Sequence, residues 1–254
     1  MDKKALGYYM YSVISGNKDR SFGRIGLSDG DEGEEVFTIP YEDLSCVVSK
    51  SPIKKWDLSR KNLISHEKVN EEIMKDHVVL PIKFCTISES REAIVEKFLK
   101  RKKETLVKRL NYLADKHEYG LKAFWSNKEQ VLRDILEGSP ALKKQRDRLA
   151  TLPFQKARND IITFGEKLKA AFQQKRDLLG KKIMSRLQPL SVEVKTNNLM
   201  NDQMFLNGVF LIAKEKQPDF DLMVNEVAKE HEDVLFKYIG PTPPANFVEI
   251  IVHW

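Results

Sequence analysis

From Tyr119 onward the chain runs strand, long helical region, strand, strand, helix, strand, and this order leaves few folds open to it. Residues 119–125 are rich in aromatic and aliphatic side chains, as a strand requires. The helical region that follows is divided at Gly138-Ser139-Pro140 and at Leu152-Pro153, because proline cannot continue a helical hydrogen-bond ladder. Its longest piece carries Ile161, Phe164, Leu168, Phe172, Leu179, Ile183 and Leu187 at spacings of mainly three or four, one apolar stripe on a charged helix. Strands are expected at 191–196 and 204–213, with Asn197, Asn198, Asn201 and Asp202 in the turn between them. Pro218 or Asp219 opens a helix carrying Leu222, Val227 and Val234, and strands at 236–239 and 247–252 flank a Gly-Pro-rich kink. The order is that of a ferredoxin-like βαββαβ domain over 117–254, with extra helices inserted in the first crossover.

The first part of the chain reads as a separate α+β domain over 1–116. Apolar runs at 7–15, 22–27, 36–39 and 44–48 predict strands, and the acidic stretch from Ser28 to Gly33 predicts an exposed turn. A helix begins near Ser59, with Leu63, Val69, Ile73 and Met74 on one face. Residues 78–84 form a further strand whose Pro81 belongs at an edge or bulge. Ser88 or Ser90 caps a second helix with Ile94, Phe98, Val107, Leu110 and Leu113. At 254 residues the α+β chain is comfortable for two domains. Met1-Asp2-Lys3-Lys4 leads into an apolar run, but its tyrosines and the lack of a small-residue cleavage site favour a first strand over a signal peptide. No window approaches the roughly 20 apolar residues of a bilayer span, so no membrane partner is expected.

Local catalytic signatures are absent. There is no Gly-x-Gly-x-x-Gly, no phosphate-binding Gly-Lys-Ser/Thr, no Gly-x-Ser-x-Gly, and neither His66-Glu67 nor His231-Glu232 continues to a second histidine at zinc-ligand spacing. The histidines at 66, 77, 117, 231 and 253 are scattered, and surface or capping roles are expected of them. Cys46 and Cys85 lie in apolar, strand-like segments and predict free, buried thiols in a reducing compartment. No catalytic residue, cofactor or metal site is assigned. The net charge of +6 is uneven: residues 143–186 carry 13 Lys or Arg against four acids, a local +9. Lys169, Lys175, Arg176 and Lys182 lie off the apolar stripe and are the candidate contacts for an acidic partner. Nucleic acid would call for aromatics interleaved with exposed basic residues, whereas Phe164 and Phe172 fall on the stripe and read as core. A nucleic-acid-binding regulator and an enzyme with a fold-assembled site stand as alternatives to a protein-binding role.

Three segments, in order along the chain, carry a resemblance. They are Leu80-Pro81-Ile82-Lys83-Phe84-Cys85-Thr86, Glu118-Tyr119-Gly120-Leu121-Lys122 and Gly240-Pro241-Thr242-Pro243-Pro244-Ala245-Asn246-Phe247-Val248. Together they resemble the gas vesicle protein F/L family, whose forms are Leu-Pro-hydrophobic-Arg-Phe-Gly-Thr, Glu-Trp-Gly-Val-Lys and Gly-Pro-Trp-Pro-Pro-Tyr-Ser-Phe-Val. Cys85 replaces a glycine of that pattern, and Thr242, Ala245 and Asn246 replace Trp, Tyr and Ser. The motifs do not separate the F from the L member. The resemblance implies a minor structural component or assembly factor, cytoplasmic and vesicle-associated. Its implied partners are the major hydrophobic shell protein and other gas vesicle assembly proteins. The Gly-Pro-rich segment also has a purely structural reading, as a rigid turn.

Overall fold

The computed structural model describes residues 5–252, so His253 and the charged start Met1-Asp2-Lys3-Lys4 lie outside the described residues. The chain divides into two compact units, residues 1–118 with 240–254, and residues 119–239. The expected division at 116 placed everything after it in one domain; here the last segment groups with the first unit instead.

The first unit is an antiparallel sheet of β1 (Leu6–Ser15), β2 (Ser21–Gly26), β3 (Glu34–Tyr41), β4 (Leu44–Pro52), β5 (Leu80–Pro81) and β6 (Ile87–Ser88). The path is β2-β3-β4-β1-β5, with β6 also on β1. β1 pairs with β4 from Leu6↔Pro52 to Ser15↔Leu44, and the register shifts between Met10 and Ser12. That bulge inverts the side-chain alternation, so Tyr9 and Tyr11 share a core cluster with Ile14. Helix α1 (Arg60–Met74) is capped by Ser59, whose side chain accepts from the Asn62 N–H. It adds Val69 and Ile73 to the same cluster. A π-helical stretch (Ala93–Leu99), started by Ser90 accepting from the Ala93 N–H, runs into α2 (Lys100–Leu113).

Residues 78–84 were expected to be one strand, yet only Leu80–Pro81 pairs with β1. Pro81 has no N–H to give to a ladder, and Lys83 N–H turns to the Ile250 carbonyl at 3.0 Å. Cys85 then takes φ 65°, outside strand geometry, and its side chain is half-buried where full burial was expected. The strand expected at 247–252 is reduced to a single parallel bridge, Ile82↔Ile250.

The second unit holds β7 (Lys116–Trp125), β8 (Glu193–Thr196), β9 (Met204–Ala213) and β10 (Val234–Thr242), in the order β10-β7-β9-β8. Three helices lie between β7 and β8: α3 (Lys128–Gly138), α4 (Pro140–Ala150) and α5 (Phe154–Leu187). A sixth, α6 (Gln217–Glu230), joins β9 to β10. The helix breaks fall where Pro140 and Pro153 predict them, and Ser139 caps α4 by accepting from the Leu142 N–H. β9 is buried almost throughout, and α5 lies against it closely enough that a Cβ on Gly180 would come within 3.2 Å of the Phe205 carbonyl. α6 buries Phe220, Val224 and Val227, while Val234, expected on the same helix, instead opens β10 as a buried strand residue, because the helix stops at Glu230 and His231 leaves helical geometry. Leu222 was expected on that stripe but is 61% exposed, since it lies about 200° around the helix from Phe220.

Candidate partner-binding surfaces

The first motif, Glu118 of the second and the Gly-Pro-rich third all belong to the first unit. Buried Glu118 accepts from the Asn246 backbone N–H at 3.0 Å and from its amide Nδ2 at 2.5 Å, and its carbonyl accepts from the Thr242 hydroxyl at 3.3 Å. Asn246, which replaces a serine of the family pattern, thus ties the Gly-Pro-rich segment to the Glu118 motif. Gly240 at φ 149° occupies a conformation that other residues rarely adopt. The chain beyond reaches the first motif: Ile250 N–H donates to the Pro81 carbonyl at 2.9 Å. These contacts make all three segments structural staples, as the rigid-turn reading of the Gly-Pro-rich segment anticipates.

Behind the first motif lies a buried polar and aromatic cluster. The Tyr9 hydroxyl accepts from the Cys85 N–H at 2.9 Å and sits 3.1 Å from His66 Nδ1. His66 Nε2 lies 3.4 Å from the Asn70 side-chain amide, and a hydrogen bond to the Ile82 backbone partly supports the ring's charge. Burial outweighs that bond and lowers the His66 pKa to about 4, so the ring is neutral near pH 7. Burial likewise pushes the Tyr11 hydroxyl up to about 12, against the Ser49 side chain at 2.8 Å. His66 therefore departs from the expected surface role. The signal for it was the helical phase, because His66, Val69, Asn70 and Ile73 follow an i, i+3, i+4, i+7 spacing. Among the other histidines, His77 contacts Arg20 at 3.0 Å and His231 closes α6 as its C-cap. Among the described residues, no group of three or more His, Cys, Asp or Glu is placed to hold a metal ion.

The apolar stripe and the basic segment both lie in the second unit. The 34 residues of α5 make a rod of about 50 Å at 1.5 Å per residue. Its apolar stripe is graded along its length. Phe172, Ile183 and Leu187 are buried in the core, Phe164 and Leu168 are half-buried, and Ile161 is 37% exposed. Phe164 is thus less of a core residue than its spacing suggests. The α4–α5 pair is held by the Arg148–Asp160 ion pair at 2.7 Å and a Lys167 to Gln145 hydrogen bond. At its turn, Leu152, Phe154 and Ile162 face solvent, Phe154 being 73% exposed.

Lys169, Lys175, Arg176 and Lys182 do not form one patch. Positions seven apart nearly coincide around a helix, so Lys169 and Arg176 share one face and Lys175 and Lys182 another, about 120° away. The first pair lies near Asp202, whose carboxyl is held low chiefly by the Lys128 ammonium and further by Arg176 and Lys169. Within that pair Arg176 Nε is buried without a hydrogen-bond partner. The second pair lines a groove of about 510 Å³. Ion pairs elsewhere in the segment take up Lys143, Arg146, Arg148 and Arg186.

Comparison with known proteins agrees with the motifs. The sequence model of a family described as "Gas vesicle synthesis protein GvpL/GvpF" matches residues 7–249. The chain is 28% identical to Gas vesicle protein F of Microcystis aeruginosa over 97% of this chain and 99% of that protein. It is 25% identical to Gas vesicle protein F of Nostoc sp., over 96% and 98%. Its fold is similar to the crystal structure of GvpF from Anabaena sp., with TM-score 0.80, 24% identity and coverage of 96% and 98%. It is also similar to that of GvpF from Microcystis aeruginosa, with TM-score 0.72, 25% identity and coverage of 95% and 98%. No helix among the described residues is long and apolar enough to cross a membrane. The chain belongs to the gas vesicle synthesis protein GvpL/GvpF family.

Proposed function

We propose that this protein acts in gas vesicle formation as a minor component or assembly factor that binds the major shell protein, in the cytoplasm and in association with the vesicle. The family assignment supports the gas vesicle role. The observation that carries the binding reading is the graded stripe of α5, whose apolar residues run out of the core to end at exposed Phe154, Ile161 and Ile162. Covering a Phe or Ile side chain contributes roughly 1.5–3 kcal/mol before the costs of association. An apolar end of this kind suits a hydrophobic partner whose unpaired strands must be shielded before they join a wall. Basic residues along the same helices add attraction to acidic groups on a partner.

Deletion of the gene in a vesicle-forming host tests the role. Vesicles should be lost or malformed, and restored by the wild-type gene but not by one carrying Phe154→Asp and Ile162→Asp. Normal vesicles after deletion would overturn the proposal. Full restoration by the doubly substituted gene would remove the apolar end from it.

A further inference from the structure

The groove on the second unit has an apolar floor of Trp125, Leu178 and Leu179, and Lys175 and Lys182 stand on its rim. Leu178 is 61% exposed. Trp125 is 2% exposed and packs on Phe205 with ring centroids 4.5 Å apart, and its indole N–H is buried without a hydrogen-bond partner. A tryptophan buried this deeply ordinarily satisfies its one donor, and this one lines an open groove. The Lys175 ammonium lies 5.9 Å from the centre of the same ring. Of the carboxylates nearby, Asp233 alone lines the groove, and Glu230 is engaged by Arg186 at 2.6 Å.

The spacing on α5 defines what fits. Lys175 and Lys182 are seven residues apart, about 10.5 Å along the helix, and Leu178 and Leu179 lie midway between them. Cation, apolar pair, cation is the complement of a helix with carboxylates two turns apart and apolar residues between them. We infer that this groove is a docking site for an acidic amphipathic helix of a partner protein, seated on Leu178 and Leu179 above the buried Trp125 and held at both ends by Lys175 and Lys182. Helix-in-groove recognition works through such i, i+3, i+4, i+7 anchors. The net positive rim selects an acidic helix over a basic one of the same shape. This site is separate from the apolar turn at Phe154, and it rests on the proposed protein-binding role only in sharing a partner class of vesicle proteins.

The test uses the full chain and a fluorescein-labelled synthetic helix of about 18 residues, long enough to be partly helical alone. The probe carries Glu at two positions seven apart with Leu at the two positions midway. Anisotropy should show saturable binding, weakened about tenfold or more by Lys175→Glu with Lys182→Glu, and comparably by Leu178→Ser. A probe with Lys in place of Glu should bind the doubly reversed chain better than it binds the wild type, which misfolding could not produce. The inference is overturned by an acidic probe that fails to bind, by binding indifferent to the reversals, or by equal binding of a probe with Ser in place of Leu. Self-association of the chain that is abolished by Lys182→Glu would give the groove to a second copy instead. Because the shell protein is absent from this assay, capture of shell protein without probe binding would remove only the groove, and the reverse result would remove only the shell-protein reading.

Discussion

Cys85 occupies a left-handed conformation, φ 65°, at the place where the family pattern has glycine. A side chain there costs on the order of 1–2 kcal/mol, and Cys85 offsets part of it by accepting from the Trp56 N–H through Sγ at 3.2 Å. Cys85→Gly should therefore change stability by less than about 1 kcal/mol, whereas Cys85→Val, stiff at Cβ, should cost about 2 kcal/mol or more in urea denaturation. Equal stability of the two variants would contradict the strain argument. The departure from glycine was visible in the sequence, but its backbone angle was not, because a lone cysteine in an apolar run looks like any strand residue. His66 was hidden for a related reason: histidine composition says nothing of burial, although helical phase does. Its folded pKa lies below the ordinary value of 6.5, at about 4. The unfolded chain thus takes up a proton first as pH falls, and stability drops through the window from 6.5 to 4. At 1.36 kcal/mol per unit, the loss approaches about 3 kcal/mol by the lower end. Burial lowers His77 in the same direction. His66→Gln should flatten the slope of stability against pH across this window, and an unchanged slope would show that His66 is not its main source.

Element boundaries were most legible where proline or a hairpin turn dictated them. α4, α5 and β9 start where Pro140, Pro153 and the Asn-rich turn place them. Legibility failed where pairing depended on distant chain, as at Leu80–Pro81 and at Ile250, since local pattern cannot tell a strand from an extended segment held by one bridge. The second sheet runs β10-β7-β9-β8, with three helices in the first crossover, where the sequence order placed the extra helices. Within α5, periodicity found the stripe but not its gradient, because burial also depends on what lies opposite. That gradient makes a prediction. Phe172→Ala should cost about 3–5 kcal/mol, as buried Phe truncations do, while Phe154→Ala should stay within about 0.5 kcal/mol of wild type. Thermal or urea melts would decide it, and a large loss at Phe154 would mean that the apolar turn is covered within this chain.

For the whole molecule, composition and charge separated the neutral-to-acidic remainder from the +9 helical segment, but could not reveal that its cations fall on two faces, one beside Asp202 and one along the groove. Nor could the chain order show that residues 240–254 belong with the first unit, a grouping that depends on contacts such as those of Asn246 with Glu118. We propose that the exposed apolar end of α5 binds the major shell protein, aided by charge. The most direct measurement is co-purification of the shell protein with the tagged chain at about 0.1 M and about 1 M salt, between which the Debye length falls from about 10 Å to about 3 Å. Capture should occur at both, weaker at high salt, and should be abolished by Phe154→Asp with Ile162→Asp in a chain that still melts like wild type. No capture at either salt, or capture unaffected by the two substitutions, would contradict binding of the shell protein through this end of α5.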